Sequence, residues 1–277
     1  MNVETILKEL NFVAKTIPIS GGDVNQTYRV EEENQTFFLK IHPGVKKEFF
    51  EKEVAGLKKL APYVRVPETY LLGETTKGAY LLMEWIEPGT GDQRELATSL
   101  ASLHHVTAQN FGFYTDNYLG TLPQNNQWND NWWDFFFSQR IEPQIIFAQQ
   151  TNRWNERRQQ HYEQLKEHVL AKWGDLSITA SLIHGDLWSG NVFFDTNGQP
   201  VFIDPSVSFS NREQDIAMSQ LFGGFRPEFL KTYQDFYPLE QGFEDRIPIY
   251  QLYYLLAHLN MFGESYGAQV DQILMEK

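Results

Sequence analysis

Two runs rich in apolar residues lead the chain, IPISGGDVNQTYRV (17–30) and TFFLKI (36–41), with the polar turn EEENQ between them. Enrichment in Ile, Val, Thr, Phe and Tyr between breaks of Gly and Asn predicts a glycine-bearing hairpin followed by a second strand. The next segment changes period. In VKKEFFEKEVAGLKKL (45–60), Phe50, Val54, Leu57 and Leu60 recur at helical spacing with lysines on the other faces. This predicts a helix that buries one stripe against the sheet. ETYLLG and AYLLMEWI, joined by the turn ETTKG, supply two more strands before the chain passes Ile86.

Beyond Glu87-Pro88-Gly89 the pattern turns helical. Asp92 and Glu95 stand at capping-box spacing, and Leu96, Leu100 and Leu103 continue a buried stripe. Residues 111–137 form an irregular aromatic stretch in which Trp128, Trp132 and Trp133 are expected to pack rather than to wall a ligand. Further helix is expected from about Ser138 to Lys172 and again from Pro248 to Phe262. No internal repeat, low-complexity run or long linker divides the chain.

Composition narrows the class. With 277 residues, 42% hydrophobic and 15% aromatic, the chain can bury a substantial core, either as one divided domain or as two lobes. No window approaches the ~20 consecutive apolar residues of a membrane helix. The opening MNVETILKELNFVAK lacks the basic start and apolar middle of a signal peptide, so a soluble cytoplasmic protein is expected. The absence of cysteine excludes disulfides, thiolate metal sites and cysteine nucleophiles. His104 and His105 are adjacent and point in different directions on a helix, which argues against a structural zinc site. A formal net charge of −13 opposes binding to nucleic acid and suits a cationic or neutral small substrate.

The chemistry concentrates in LIHGDLWSGN (182–191), which places His184, Asp186 and Asn191 in the pattern HxDxxxxN. Gly, Asp, Ser and Asn are ordinary turn residues, so the loop alone proves little. A second apolar run, PVFI, ends at Asp204, and the turn Asp195-Thr-Asn-Gly198 lies between the two runs. Closing that hairpin brings Asp186, Asn191 and Asp204 together. Two carboxylates and an amide carbonyl suit Mg²⁺, a hard cation that takes oxygen ligands and is often shared with substrate phosphates.

HxDxxxxN followed eighteen residues beyond Asp186 by Asp204 resembles the catalytic loop and metal-binding aspartate of protein kinases. Upstream, Lys40 within the strand FFLKI resembles the phosphate-pairing lysine of that fold, and Glu53 on the next helix could reach back to it. Gly21 and Gly22 stand where a kinase has its glycine-rich loop, although SGGDVNQTY lacks the full GxGxxG. The resemblance implies an α+β, bilobal protein-kinase-like fold. Its parts are a small antiparallel-sheet N-lobe with one main helix over 1–86 and a larger, mostly helical C-lobe over 87–277.

No arginine stands between His184 and Asp186, Asp204 is followed by Pro-Ser, and no APE-like segment follows, so small-molecule kinases are the closer comparison. HGDLWSGNVFF, IDPSVSFSNREQDIAMSQLFGGF, SGGDVNQTYRV and FGFYTDNYLGTLPQNNQW together resemble the fructosamine kinase (ketosamine kinase) family from about residue 17 to 266. That resemblance implies ATP-dependent phosphorylation of the sugar 3-hydroxyl of ketoamines, as a protein-repair step. It assigns Asp186 as the base, Asn191 and Asp204 as Mg²⁺ ligands, Lys40 to the phosphates and Glu53 to orienting Lys40. It also gives adenine the backbone groups of Glu84 and Ile86. Bracing of the catalytic loop is favoured over helix capping for Asp215, and loop support over catalysis for His184. Trp188 either stacks on the sugar or lies under the loop. An aminoglycoside or choline-type phosphotransferase and a non-catalytic ATP-binding regulator are the alternatives. The motifs leave free or protein-bound ketoamine, and the oligomeric state, open.

Overall fold

The computed structural model describes residues 3–9, 12–19 and 25–275, so the glycine loop positions Gly21 and Gly22 lie outside the described residues. Helix α1 (Val3–Glu9) precedes strands β1 (Lys15–Ile19), β2 (Gln26–Glu32) and β3 (Gln35–Pro43). Helix α2 (Glu48–Leu60) then leads to β4 (Thr69–Thr75) and β5 (Gly78–Glu84). The strands form one antiparallel sheet in the order β1-β2-β3-β5-β4. Alternation along β3 separates its two faces. Leu39 and Ile41 join Ile6, Val30 and Leu82 in a small apolar cluster, whereas Phe38 packs against the main core. Lys40, one residue from both Leu39 and Ile41, therefore faces the other way.

Helix α2 begins three residues later than the apolar period predicts, at Glu48. Its buried residues Phe50, Gly56, Leu57 and Leu60 form the expected stripe, while Val54 is only partly covered. Gly56 has a packing reason. A Cβ there would stand 3.2 Å from Val207 Cγ2 and 3.3 Å from Pro205 Cγ, so its absence lets the helix lie against the segment after Asp204.

From residue 88 on, helices dominate. The strand β6 (Pro88–Gly89), unforeseen from its turn-like residues, is followed by α3 (Gln93–His104), β7 (Thr107–Ala108) and the hairpin β8 (Asn117–Leu119) with β9 (Leu122–Gln124). Asp92 caps α3 through the backbone N–H of Arg94 at 2.9 Å. We expect Asp92→Ala to lower unfolding free energy by about 1 kcal/mol, read from the midpoint of urea denaturation.

The aromatic stretch packs. Trp132 and Trp133 are buried in α4 (Trp132–Phe136), whereas Trp128 is 43% exposed and meets Tyr114 edge-on. The helix expected over 138–172 is interrupted twice. A π-helical turn at Phe137–Ile141 carries the buried Arg140 across the ring of Phe135 and precedes α5 (Glu142–Gln150). Asn152 then adopts a left-handed φ of 56°, and Asn155 caps a new helix, α6 (Glu156–Trp173). Both asparagines are breakers that a hydrophobic period does not register.

The remaining elements are β10 (Ala180–Ile183), the hairpin β11 (Val192–Asp195) and β12 (Pro200–Phe202), then β13 (Ser208–Ser210). Helices α7 (Glu213–Leu221), α8 (Pro227–Phe236), α9 (Phe243–Phe262) and α10 (Gly267–Met275) follow. Helix α9 starts five residues before Pro248, which lies inside it. Pairing of β10 with β13 and of β11 with both β12 and β6 sets the segment from His184 to Asn191 between short strands. Among the described residues no helix is long and apolar enough to cross a membrane.

Candidate active site

On α2, Glu53 is three residues from Phe50 and four from Leu57, so it shares their inward face. Its carboxylate accepts a hydrogen bond from Lys40 Nζ at 2.7 Å, and the same ammonium contacts Asp204 Oδ1. Burial pulls the Lys40 ammonium towards its neutral form, but Asp204 and Glu53 outweigh it and hold the group protonated. Burial pushes Glu53 the other way, above the usual carboxylate range, and Asp204 adds to the rise against the pull of Lys40.

Asp186 and Asn191 meet within the loop that joins β10 to β11. Asn191 Nδ2 donates to Asp186 Oδ2 at 3.0 Å and to the Asp186 carbonyl at 2.9 Å, and the amide oxygen is not used in these bonds. Ile203 N donates to Asn191 O at 3.0 Å, and Ser206 N to His184 O at 2.9 Å. These rungs hold the Asp204 segment beside the loop. Asp204 itself has a φ of 55°, a left-handed conformation that L side chains rarely adopt and that clusters at functional sites. Burial, and then the charge of Asp204, push the Asp186 carboxyl up to about 7.

His184 is fully buried and supports the loop. Its Nδ1 accepts from Asp186 N at 3.2 Å, so its Nε2 is the donor to the Ile203 carbonyl at 2.9 Å. Burial holds the ring below its ordinary pKa and hence neutral, as this pattern requires. Asp215 lies three residues beyond Arg212, the residue that precedes α7, yet its carboxylate turns to the loop. It accepts from His184 N at 2.7 Å, Gly185 N at 2.8 Å and His104 Nε2 at 3.1 Å. Gly185 needs its missing side chain: φ is 86°, and a Cβ would run into the Ser206 carbonyl.

Two cavities flank Lys40 and Asp204. One, of about 220 Å³, is lined by Ile19, Phe38, Leu57, Met83, Phe193 and Ile203, together with Glu84 and Ile86 at its end. The Glu84 side chain is drawn away by Arg65 and by the N–H of Glu68 at 3.1 Å. The other, of about 400 Å³, runs from Asp186, Asn191 and Asp204 past Trp188 to Tyr118 on β8 and to His258 and Phe262 on α9. Trp188 is half-buried, and its ring covers Gly190, where a Cβ would meet the indole.

Sequence reasoning missed the apolar lining of the first cavity, the α9 residues of the second, and His104 behind Asp215. Only the DNYLG segment carried a signal, and only through resemblance. Among the described residues there is no group of three or more His, Asp or Glu poised to hold a metal unaided. Asp186, Asn191 and Asp204 line one cavity and carry the oxygen donors there. Burial and, after it, the charge of Asp204 lift Asp186, and a cation between the carboxylates relieves the second of these, so the donor set fits a hard divalent ion completed by other oxygen ligands.

A small sheet whose lysine pairs with a glutamate on the adjoining helix, together with a helical part that carries the HxDxxxxN loop, defines the kinase-like phosphotransferase class. The model for fructosamine kinase matches residues 3–277. A relative from Enterococcus faecium named "probable ketoamine kinase" is 65% identical over 274 residues, covering 99% of each chain. The crystal structure of a protein provisionally named fructosamine-3-kinase from Thermobifida fusca superposes with a TM-score of 0.86 at 27% identity, covering 99% of this chain and 97% of that one. An aminoglycoside phosphotransferase crystallised with AMP-PNP and hygromycin B shares the fold, with a TM-score of 0.68 at 17% identity over 98% of this chain and 97% of that one. The chain belongs to the fructosamine kinase family and is a kinase.

Proposed function

We propose that this kinase transfers the γ-phosphoryl group of ATP to the 3-hydroxyl of the sugar in a ketoamine, as a step in the repair of glycated amines. The observation that carries the reading is the convergence of Asp186, Asn191, Asp204, Lys40 and Glu53 at the junction of two cavities, one almost wholly apolar and one of mixed lining. The apolar cavity takes adenine, with the Glu84 carbonyl and the Ile86 N–H as its partners. Lys40, oriented by Glu53, pairs with the phosphates. Asp186 accepts the proton of the sugar hydroxyl as that oxygen attacks phosphorus. Asn191 and Asp204 hold Mg²⁺, which when bound neutralises charge on the phosphates. Residues 1–86 act as the nucleotide lobe and 87–277 as the acceptor lobe, and the N-terminal glycines Gly21 and Gly22 belong to the former. Trp188 packs its indole over Gly190 at the acceptor side, and His184 and Asp215 hold the loop that presents Asp186. A cytoplasmic setting suits the cysteine-free chain.

ADP release measured with fructoselysine, ribuloselysine, an aminoglycoside and choline tests the reading. Turnover of the ketoamines is expected. Turnover of the aminoglycoside or choline without either ketoamine would replace it with the corresponding kinase, and ATP binding without turnover of any acceptor would leave a regulator.

A further inference from the structure

DNYLGTLPQNN (116–126) carries part of the family resemblance, yet none of its residues has a role in the proposed reaction. The segment contains the hairpin of β8 and β9, and three of its side chains form one buried amide network. Asn117 Oδ1 accepts from Gln124 Nε2 at 2.8 Å and from Asn126 Nδ2 at 2.9 Å, and Asn117 Nδ2 donates to the Val207 carbonyl at 2.9 Å. Gln124 Nε2 also reaches the Ser206 carbonyl at 3.2 Å, and Ser206 Oγ returns a bond to the Tyr118 carbonyl at 2.8 Å. At the far end, Tyr253 Oη donates to Gln124 Oε1 at 2.7 Å and Arg140 Nη2 to Asn126 Oδ1 at 2.7 Å. Each amide is oriented by its neighbours, so these side-chain bonds run one way, from Arg140 and Tyr253 towards the carbonyls of Ser206 and Val207.

Those carbonyls lie two and three residues beyond Asp204, and Ser206 N is held from the other side by the His184 carbonyl. The left-handed φ of 55° at Asp204 persists because its surroundings over-determine the backbone, and the network supplies part of that constraint. Arg140 marks the network as more than packing. It is buried in a π-helical turn, a feature frequent at functional sites, and its acceptors are the carbonyls of Asn125 and Gln139 and the Asn126 amide. Among the described residues it forms no ion pair with a carboxylate. We propose that Asn117 and Gln124, with Asn126 and Arg140 behind them, are positioning residues for Asp204, and that through it they set how strongly the site takes a divalent cation together with ATP. This rests on the reading of Asp204 as a Mg²⁺ ligand. Gln124 separates positioning from direct contact with the acceptor, because it is buried behind the wall of the larger cavity while Asn117 is part of that wall.

Calorimetric titration with ATP, once with Mg²⁺ and once with EDTA, gives the factor by which the metal tightens nucleotide binding. Gln124→Met keeps the length of the side chain and removes its donor and its acceptor. The factor is expected to fall by about tenfold in this variant, the low end of the range for groups that orient metal ligands, while metal-free ATP binds within about twofold of the unaltered chain. Ser206→Ala removes one bond of the network and leaves the amides in place, so it carries the test if Gln124→Met does not fold; there the factor is expected to fall by about threefold. An unchanged factor in the folded variant would make the network a strap of the hairpin alone and overturn the proposal. An equal loss with and without metal would place the effect on the nucleotide rather than on Asp204 and overturn it as well. Absence of any tightening by Mg²⁺ in the unaltered chain overturns the proposal together with the metal role of Asp204, and that result is read without a variant.

Discussion

Asp186→Asn is expected to bind ATP and to lose turnover by a factor of about 10²–10⁴, the range typical of a removed general base. The substitution keeps the shape of the side chain and an oxygen that can still accept from Asn191 Nδ2, so the loop has little reason to move. What disappears is the proposed acceptor of the hydroxyl proton. The pH profile of the unaltered enzyme provides a second reading of the same residue. Burial and the charge of Asp204 raise the Asp186 carboxyl to about 7, so below that pH the free enzyme carries the proton and the base is blocked. The kcat/KM is therefore expected to fall as pH drops through about 7 and to level off above it, because this parameter reports groups of the free enzyme. Stopped ADP-release assays across pH 5.5–8.5, on the order of three units around that midpoint, together with calorimetric ATP titration of the variant, check both statements. Turnover retained within tenfold in Asp186→Asn would remove Asp186 from the role.

The second large effect is expected at Asp215. Its carboxylate accepts from two backbone N–H groups and from His104 Nε2, all buried. Asp215→Ala leaves the donors of His184 and Gly185 without partners, and at about 1–3 kcal/mol for each buried unsatisfied group the chain is expected to lose roughly 2–6 kcal/mol of stability. Asp215→Asn keeps one acceptor oxygen and is expected to lose about half as much. Because these N–H groups lie one and two residues before Asp186, kcat is expected to fall in both variants. Urea denaturation and steady-state kinetics on the same preparations separate the two contributions. A loss of only about 1 kcal/mol with kcat intact would be the signature of a helix-capping carboxylate and would count against bracing.

Lys40 shows how much of the site could be read from the residues. A lysine within FFLKI stands out because alternation makes each strand position choose a face, and Leu39 and Ile41 settle which face Lys40 occupies. Glu53 could be placed only through the resemblance to kinases, because a glutamate on a helix is unremarkable by itself, and the fold sets it on the face of Phe50 and Leu57. The hairpin between Asp186 and Asp204 followed from its Asn-Gly turn. Other features resisted for physical reasons. His104 reaches Asp215 across 111 residues, and periodicity reports only that His104 is inward. The strand at Pro88–Gly89 exists because β11 offers it an edge, which two turn-forming residues give no sign of.

Helix α9 divides its labour along its length. Tyr250 accepts from Trp132 and Asn211 in the core, Tyr253 donates to Gln124 beneath the acceptor wall, and Tyr254 donates to the Gly185 carbonyl in the catalytic loop. Only beyond these, at His258, Met261 and Phe262, does the helix reach the larger cavity, the proposed acceptor site. Anchoring and recognition are thus placed a full turn apart on one rigid rod. On the proposed reading, a substitution in that last turn is expected to alter the acceptor cavity while the tyrosines preceding it leave the loop of Asp186 in place.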